Sequence, residues 1–358
     1  MAVKSAHSGW VGCKGGPILE VEMSDSGTSE VSLFVDRELV QRATHARTRL
    51  AELSRELEKL DSLRDVADLC VYATGSFGRL DASKYSDLDL FFIQTSGGDA
   101  RIGRLDKTLL DADVIRLART LGFPEFSRDG VFLEVHQLES ILQHLGGPED
   151  DFHNHFTARL LLLLESRSVY AEPVYEKALK RLVEAYYRDY QDHELDFRPV
   201  FLANDIVRFW KTLCLNYEHR RNRPSEDARL RAKHHVKNLK LKFSRMLTCY
   251  SALIWIAAKE TGPGPEDVYQ MVSLTPVERL LSVREFDAAA AQHVNGALAT
   301  YSWFLNAVGK AEDEVLDWIA DPANRDEAFN NGRRFGEEVC GLILHLSANK
   351  PFLRYLLV

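Results

Sequence analysis

The sequence has few cysteines and no pattern among them. Cys13, Cys70, Cys214, Cys249 and Cys340 are scattered, odd in number and form no CxxC. That argues against a zinc cluster or a disulfide scaffold and implies a reducing compartment. Long apolar runs are missing as well. Leu160 to Leu164 is an unbroken run of five leucines flanked by Arg159 and Glu165, far short of the ~20 residues that span a bilayer. The N-terminus has no sustained apolar stretch of the kind a secretory leader carries. The chain therefore reads as cytoplasmic, with no membrane partner, and no internal repeat is visible in it.

What is present is an ordinary globular composition, 45% hydrophobic and 27% charged over 358 residues, long enough for a large core and for two domains. The net charge of -8 excludes a general polyanion binder. The average hides a contrast, because residues 208–245 hold twelve Lys/Arg and three Asp/Glu, a local +9 that leaves -17 for the remainder.

Residues 1–34 are rich in Gly, Ser and scattered charge and read as a flexible arm. Val35 to Leu63 has amphipathic helical spacing, a strand follows near 69–73, and 101–121 is again helical up to Gly122-Phe123-Pro124. Val131 to His136 alternates like a third strand. After 150 the strands end and helices are expected at 152–166, 174–191, 199–218, 229–260, 265–281, 284–308, 311–319 and 324–347, with Gly262-Pro263-Gly264-Pro265 as the clearest break. The predicted fold is α+β: a small mixed-sheet domain over 35–150 followed by a large all-helical domain over 151–358.

The most informative stretch is Gly75-Ser76-Phe77-Gly78-Arg79 followed by Ser86-Asp87-Leu88-Asp89-Leu90. A small-residue turn closes the strand Val71-Tyr72-Ala73, and the next strand is predicted over Asp87–Ile93. Residues i and i+2 of a strand share a face, so Asp87 and Asp89 point together while Leu88, Leu90 and Phe92 fill the other side. Gly75 lets the backbone turn tightly and approach a ligand. Ser76 offers a hydroxyl and an N–H to a phosphate oxygen, and Arg79 either reaches the same phosphates or closes over the turn. Paired carboxylates beside such a turn suit Mg²⁺ (or Mn²⁺) shared with substrate phosphates. Glu134, on the face of Phe132 and His136, is the candidate third metal ligand, with Asp129 as the alternative.

Here the chain resembles the polymerase-β superfamily of nucleotidyltransferases, whose pattern is an apolar strand, Gly-Ser or Gly-Gly, about ten residues, Asp-x-Asp, and later a third acidic residue. Locally it is most similar to bacterial signalling-protein uridylyltransferases, which carry Gly-Gly-Tyr-Gly-Arg and a Tyr-Ser-Asp-hydrophobic-Asp run. Compare Gly75-Ser76-Phe77-Gly78-Arg79 and Tyr85-Ser86-Asp87-Leu88-Asp89. Cyclic-oligonucleotide synthases of bacterial defence have a similar arrangement. The resemblance is specific over 71–93, weaker at Glu134 and only general beyond 150. It implies transfer of NMP from an NTP, with ATP as the first candidate, to a hydroxyl acceptor with release of pyrophosphate. Asp87, Asp89 and Glu134 would be catalytic and metal-binding, and Gly75, Ser76 and Arg79 nucleotide-binding. A protein acceptor comes first, then a second nucleotide, giving a cyclic or linear oligonucleotide, then an RNA 3′ end as in toxin-like relatives. No segment reads as the phosphohydrolase tail of the uridylyltransferases, which leaves the acceptor open.

The basic island lies on two predicted helices. In 199–218, Asn204, Arg208 and Lys211 share a face. In 229–260, Val236, Leu239, Phe243, Met246 and Tyr250 form a buried stripe and Lys233, Lys237, Lys240 and Ser244 a polar one. The resemblance implies that a helical unit supplies the cation gripping the triphosphate; Lys211, Lys237 and Lys240 are the candidates, and the same surface could hold RNA. Other readings are a catalytically silent nucleotide sensor or toxin–antitoxin partner, and a helical ribonuclease on the Arg229-x4-His234 pattern. His153 and His155, or His234 and His235, lack Cys or carboxylate partners at ligand spacing and read as surface or core histidines.

Overall fold

A computed structural model describes residues 36–96, 101–126, 133–194, 197–221, 227–259 and 262–347. The arm expected over 1–34, and Asp129 and Phe132, lie outside the described residues. Val35–Val358 cluster as one compact unit. Helix α1 (Arg37–Leu57) starts where the Asp36 carboxylate accepts the Glu38 N–H, and it buries Leu39, Ala46, Leu50, Leu53 and Leu57 at helical spacing. A short turn, α2 (Asp61–Arg64), leads into β1 (Leu69–Thr74), the turn α3 (Gly75–Gly78) and β2 (Asp89–Gln94). Helix α4 (Arg104–Thr120) precedes β3 (Val135–Gln137), α5 (Leu138–Gln143), α6 (Glu149–Phe152), α7 (His155–Leu164) and β4 (Arg167–Tyr170).

The sheet order is β3-β2-β1-β4. β1 is antiparallel to β2 and β4, and β2 is parallel to β3, which makes the sheet mixed as expected. Its two faces feed separate cores. Leu69, Val71, Ala73, Leu88, Leu90 and Phe92 pack with α1 and α4. Cys70, Tyr72, Phe91 and Ile93 pack with the leucines of α7 and the helices that follow.

The strands do not end at 150, because β4 comes from beyond it. Sequence alternation missed this strand since Arg167–Tyr170 spans four residues with one fully buried side chain, Val169. The Asp strand also starts later than predicted, at Asp89, and the third strand spans only Val135–Gln137.

The rest is helical: α8 (Glu172–Tyr186), α9 (Val200–Arg221), α10 (Ala228–Lys240), a π-turn (Leu241–Arg245), α11 (Met246–Ala258), α12 (Pro265–Ser273), α13 (Pro276–Phe286), α14 (Ala291–Val308), α15 (Glu312–Ala320) and α16 (Pro322–Ser347). The single helix expected over 265–281 is two. Thr275 caps α13 in a reciprocal box with Glu278, and Pro276 follows at its first turn. Among the described residues no helix is long and apolar enough to cross a membrane.

Candidate active site

The turn after β1 folds directly onto the first residue of β2. Thr74 pairs with Asp89 across the antiparallel ladder, and Gly75 takes φ +64°, a region a side chain enters only with strain. A Cβ there would stand 2.7 Å from Asp89 Oδ2. Glycine is thus required twice at this position, by its backbone angle and by the carboxylate it faces. Ser76 is half-buried at the start of the same turn, with its carbonyl accepting the Asp81 N–H at 2.9 Å.

Asp87 lies two residues ahead of β2 and is exposed, so of the pair only Asp89 belongs to the strand. Asp87 still acts on its neighbour. Burial first, and the Asp87 charge second, push the Asp89 carboxyl up to about 6. Two carboxylates in mutual repulsion are the electrostatic condition that a divalent cation relieves. In that respect the donor set fits Mg²⁺. Among the described residues, however, no group of three or more His, Cys, Asp or Glu side chains is gathered to hold a metal.

Glu134 is exposed and sits one residue ahead of β3. The parallel register pairs Phe92 with Val135 and Ile93 with His136, which places Glu134 on the side of the sheet that carries Phe91 and Asp89. The carboxylate acting on Asp89 from outside its own segment is instead Glu165, which the sequence reading missed.

Glu165 caps α7 just before β4 and is 1% exposed. It accepts from Arg79 Nη1 at 2.8 Å, from Thr248 Oγ1 at 2.8 Å and from Arg245. Burial alone would raise its pKa, but Arg245, Arg79 and these hydrogen bonds outweigh it and hold the carboxyl at about 2. Its backbone matters too: a Cβ at Gly78 would meet the Glu165 carbonyl at 2.0 Å. Gly78 therefore lets the α7–β4 junction lie against the turn.

Arg79 is consumed by this arrangement. Its Nε and Nη2 donate to Asp81 at 2.9 and 3.3 Å and its Nη1 to Glu165, all buried. Burial works to lower its pKa, and Asp81 and Glu165 more than offset that. Of the two roles predicted for Arg79, the structure shows the one that closes over the turn; reaching a phosphate would break two buried pairs. Asp81 also accepts the Tyr301 hydroxyl from α14 at 2.5 Å, and Arg42 of α1 donates to the Asp81 and Leu305 carbonyls at 3.2 and 2.6 Å. The turn is thus bolted to helices far along the chain.

The cations that act on Asp89 are Arg245 first and Arg79 behind it. Arg245, partly exposed, ends the π-turn, a feature common at functional sites. The π-turn widens the helical period, so the polar stripe extrapolated through Lys233, Lys237, Lys240 and Ser244 fails at its end: Ser244 is buried beside Tyr301 and Arg245 faces the carboxylates. Lys211, Lys237 and Lys240 lie on the exposed surface of α9 and α10.

The basic island has partners within the chain. Arg208 pairs with Asp151, Arg229 with Asp313, Lys233 with Glu312 at 2.9 Å and Arg245 with Glu165. Arg229, half of the ribonuclease-like pattern, is thereby docked on α15. No protein-family model matches the chain, and no curated protein matches it.

Proposed function

We propose that this protein is a divalent-metal-dependent nucleotidyltransferase, moving NMP from an NTP, ATP first, to a hydroxyl acceptor. The observation that carries the reading is the left-handed Gly75 seated 2.7 Å, at its Cβ position, from Asp89 Oδ2, with Asp87 acting on the same carboxyl. The motif resemblance over 71–93 supports it. Asp87 and Asp89 would hold Mg²⁺, which would neutralise phosphate charge and raise the nucleophilicity of the acceptor oxygen. The acceptor oxygen bonds to the α-phosphorus, the bond from that phosphorus to the α–β bridging oxygen breaks, and the acceptor proton passes to solvent or a nearby carboxylate as pyrophosphate leaves. Glu134, exposed on the Asp89 side of the sheet, is the carboxylate available for that proton. Ser76 and the backbone of its turn face the triphosphate, and Arg245, held by Glu165, is the cation that meets it. Positioning and charge neutralisation supply most of the rate.

The acceptor order stays as the resemblance implies: a protein hydroxyl, then a second nucleotide, then an RNA 3′ end. The test is incubation with labelled ATP, GTP, CTP and UTP plus Mg²⁺. A labelled polypeptide identifies protein modification, a soluble labelled product a synthase, and an extended RNA the third acceptor. Asp87→Ala and Asp89→Ala should each abolish the product; near-normal rates in both would remove the assignment.

A second reading, the silent nucleotide sensor, has one observation in its favour: Asp87 and Asp89 are joined by no third metal-gathering side chain among the described residues. Saturable NTP binding without pyrophosphate release would establish it.

A further inference from the structure

The connections around α5, α6 and α7 bring together histidines that are scattered in sequence. His144 caps the end of α5, His153 caps α6, and His155 opens α7. Asn154 between the last two takes a left-handed φ of +56°, and the His153 and His155 ring centroids lie 5.4 Å apart. His136 of β3 stands edge-on to His155 with ring centroids 6.3 Å apart.

Two of these rings confront each other through the same atom. His144 Nδ1 and His155 Nδ1 are 3.4 Å apart. Their ring centroids are 5.4 Å apart with planes 11° from parallel, so the nitrogen edges face one another. That spacing is long for a hydrogen bond, whose ordinary range is about 2.7–3.2 Å. Two nitrogens bound at about 2.0–2.1 Å to one tetrahedral zinc stand about 3.3–3.4 Å apart. The other nitrogen of His144, Nε2, lies 3.0 Å from Glu149 Oε2. A proton shared with that carboxylate leaves the Nδ1 lone pair free, the outer-shell pattern of metal-bound histidines. His153, exposed, has its ring centroid 5.9 Å from that of His144 and 5.4 Å from that of His155.

We propose that His144 and His155 form the two-histidine nucleus of a transition-metal site, with solvent completing the shell. The ion class is zinc or another imidazole-preferring divalent metal, distinct from the hard cation suited to Asp87 and Asp89. Nδ1 of each ring binds the ion, and slight tilts of the two facing rings bring their lone pairs off the line between them and onto it. Occupancy would clamp the end of α5, which follows β3, to the start of α7, which ends at Glu165.

The experiment is titration of metal-free, untagged full-length protein with ZnCl2 by calorimetry and with CoCl2 by visible absorption, at neutral pH. The expected result is one saturable equivalent with Kd of about 10 µM or tighter and cobalt bands of low coordination number. His144→Gln and His155→Ala should each weaken binding more than about tenfold, and Glu149→Gln by up to about tenfold. Asp87→Asn/Asp89→Asn should leave it unchanged. Because His155 is buried, the partly exposed His144→Gln, checked for native melting, carries the decision. Absence of saturable binding, equal affinity in His144→Gln, or loss confined to the aspartate variant would each overturn the site and leave a hydrogen-bonded histidine pair.

Discussion

Glu165→Gln is the perturbation that most sharply tests how the site is built. The carboxylate is 1% exposed and holds Arg79, Arg245 and Thr248 at once. The amide keeps its shape but removes the charge, leaving two guanidinium groups beside each other with Asp81 as the remaining buried anion. Removing one partner of a buried pair costs about 3–5 kcal/mol. The depression of its carboxyl corresponds to a cost of the same order. The Glu165 carboxyl is held at about 2 against an ordinary 4.5, and two to three pH units correspond to about 3 kcal/mol. A depressed carboxyl contributes stability above its unfolded value and loses it as pH falls through the folded one. In the wild type this contribution is therefore complete above pH 4.5 and lost as pH falls toward 2. The assay is urea unfolding at neutral pH for the wild type, Glu165→Gln, Arg79→Met and the double variant. The single variants should each lose about 3 kcal/mol, and the double should lose clearly less than their sum, because the Arg79–Glu165 pair is then removed together and neither member is left facing the other's vacancy. Strict additivity, or a Glu165→Gln cost within about 0.5 kcal/mol of zero, would refute the reasoning.

Asp89 shows the opposite sign. Its carboxyl is raised to about 6 from 3.8, so its ionised form penalises the fold above pH 6 and the penalty is relieved as pH falls toward 3.8. Asp89→Asn should raise the unfolding free energy in metal-free buffer near pH 8 by on the order of 1–2 kcal/mol, and with it the melting temperature, while abolishing transfer; a lower melting temperature counts against the repulsion. Gly78→Ala should destabilise more than Gly75→Ala, because its Cβ meets the Glu165 carbonyl at 2.0 Å whereas that of Gly75 meets a movable carboxylate at 2.7 Å. Melting curves rank them, and the reverse order would be inconsistent with the packing. Arg245→Ala should raise KM for the NTP more than it lowers kcat, read from initial rates; an unchanged KM removes it as a triphosphate contact. His136 is held to about 4 by burial, against 6.5. A buried neutral histidine contributes stability above pH 6.5 that is lost as pH falls toward 4, and His136→Phe should flatten that part of the urea-midpoint profile.

The pairing of the glycine turn with Asp89 was legible because it is local. A strand, a tight turn and the returning strand lie within residues 69–94, and period-two alternation assigns Leu88, Leu90 and Phe92 to one core. Hydrophobic periodicity likewise sufficed to anticipate a helix-rich α+β chain with a small mixed sheet. What tertiary structure alone decided is which charges meet. Glu165 reaches Arg79 across 86 residues and Arg245 across 80, and no periodicity reports a contact of that separation. The π-turn at 241–245 shifts the helical register, turning Arg245 to the carboxylates and burying Ser244, and nothing in residue spacing announces a turn of different pitch. The partners of Arg79, Asp81 and Glu165, were not legible, since a guanidinium reads alike in sequence whether it awaits a phosphate or holds two buried carboxylates. The histidines follow the same rule: spacing along the chain separates His144 from His155, and the turn at Asn154 brings their nitrogens within 3.4 Å.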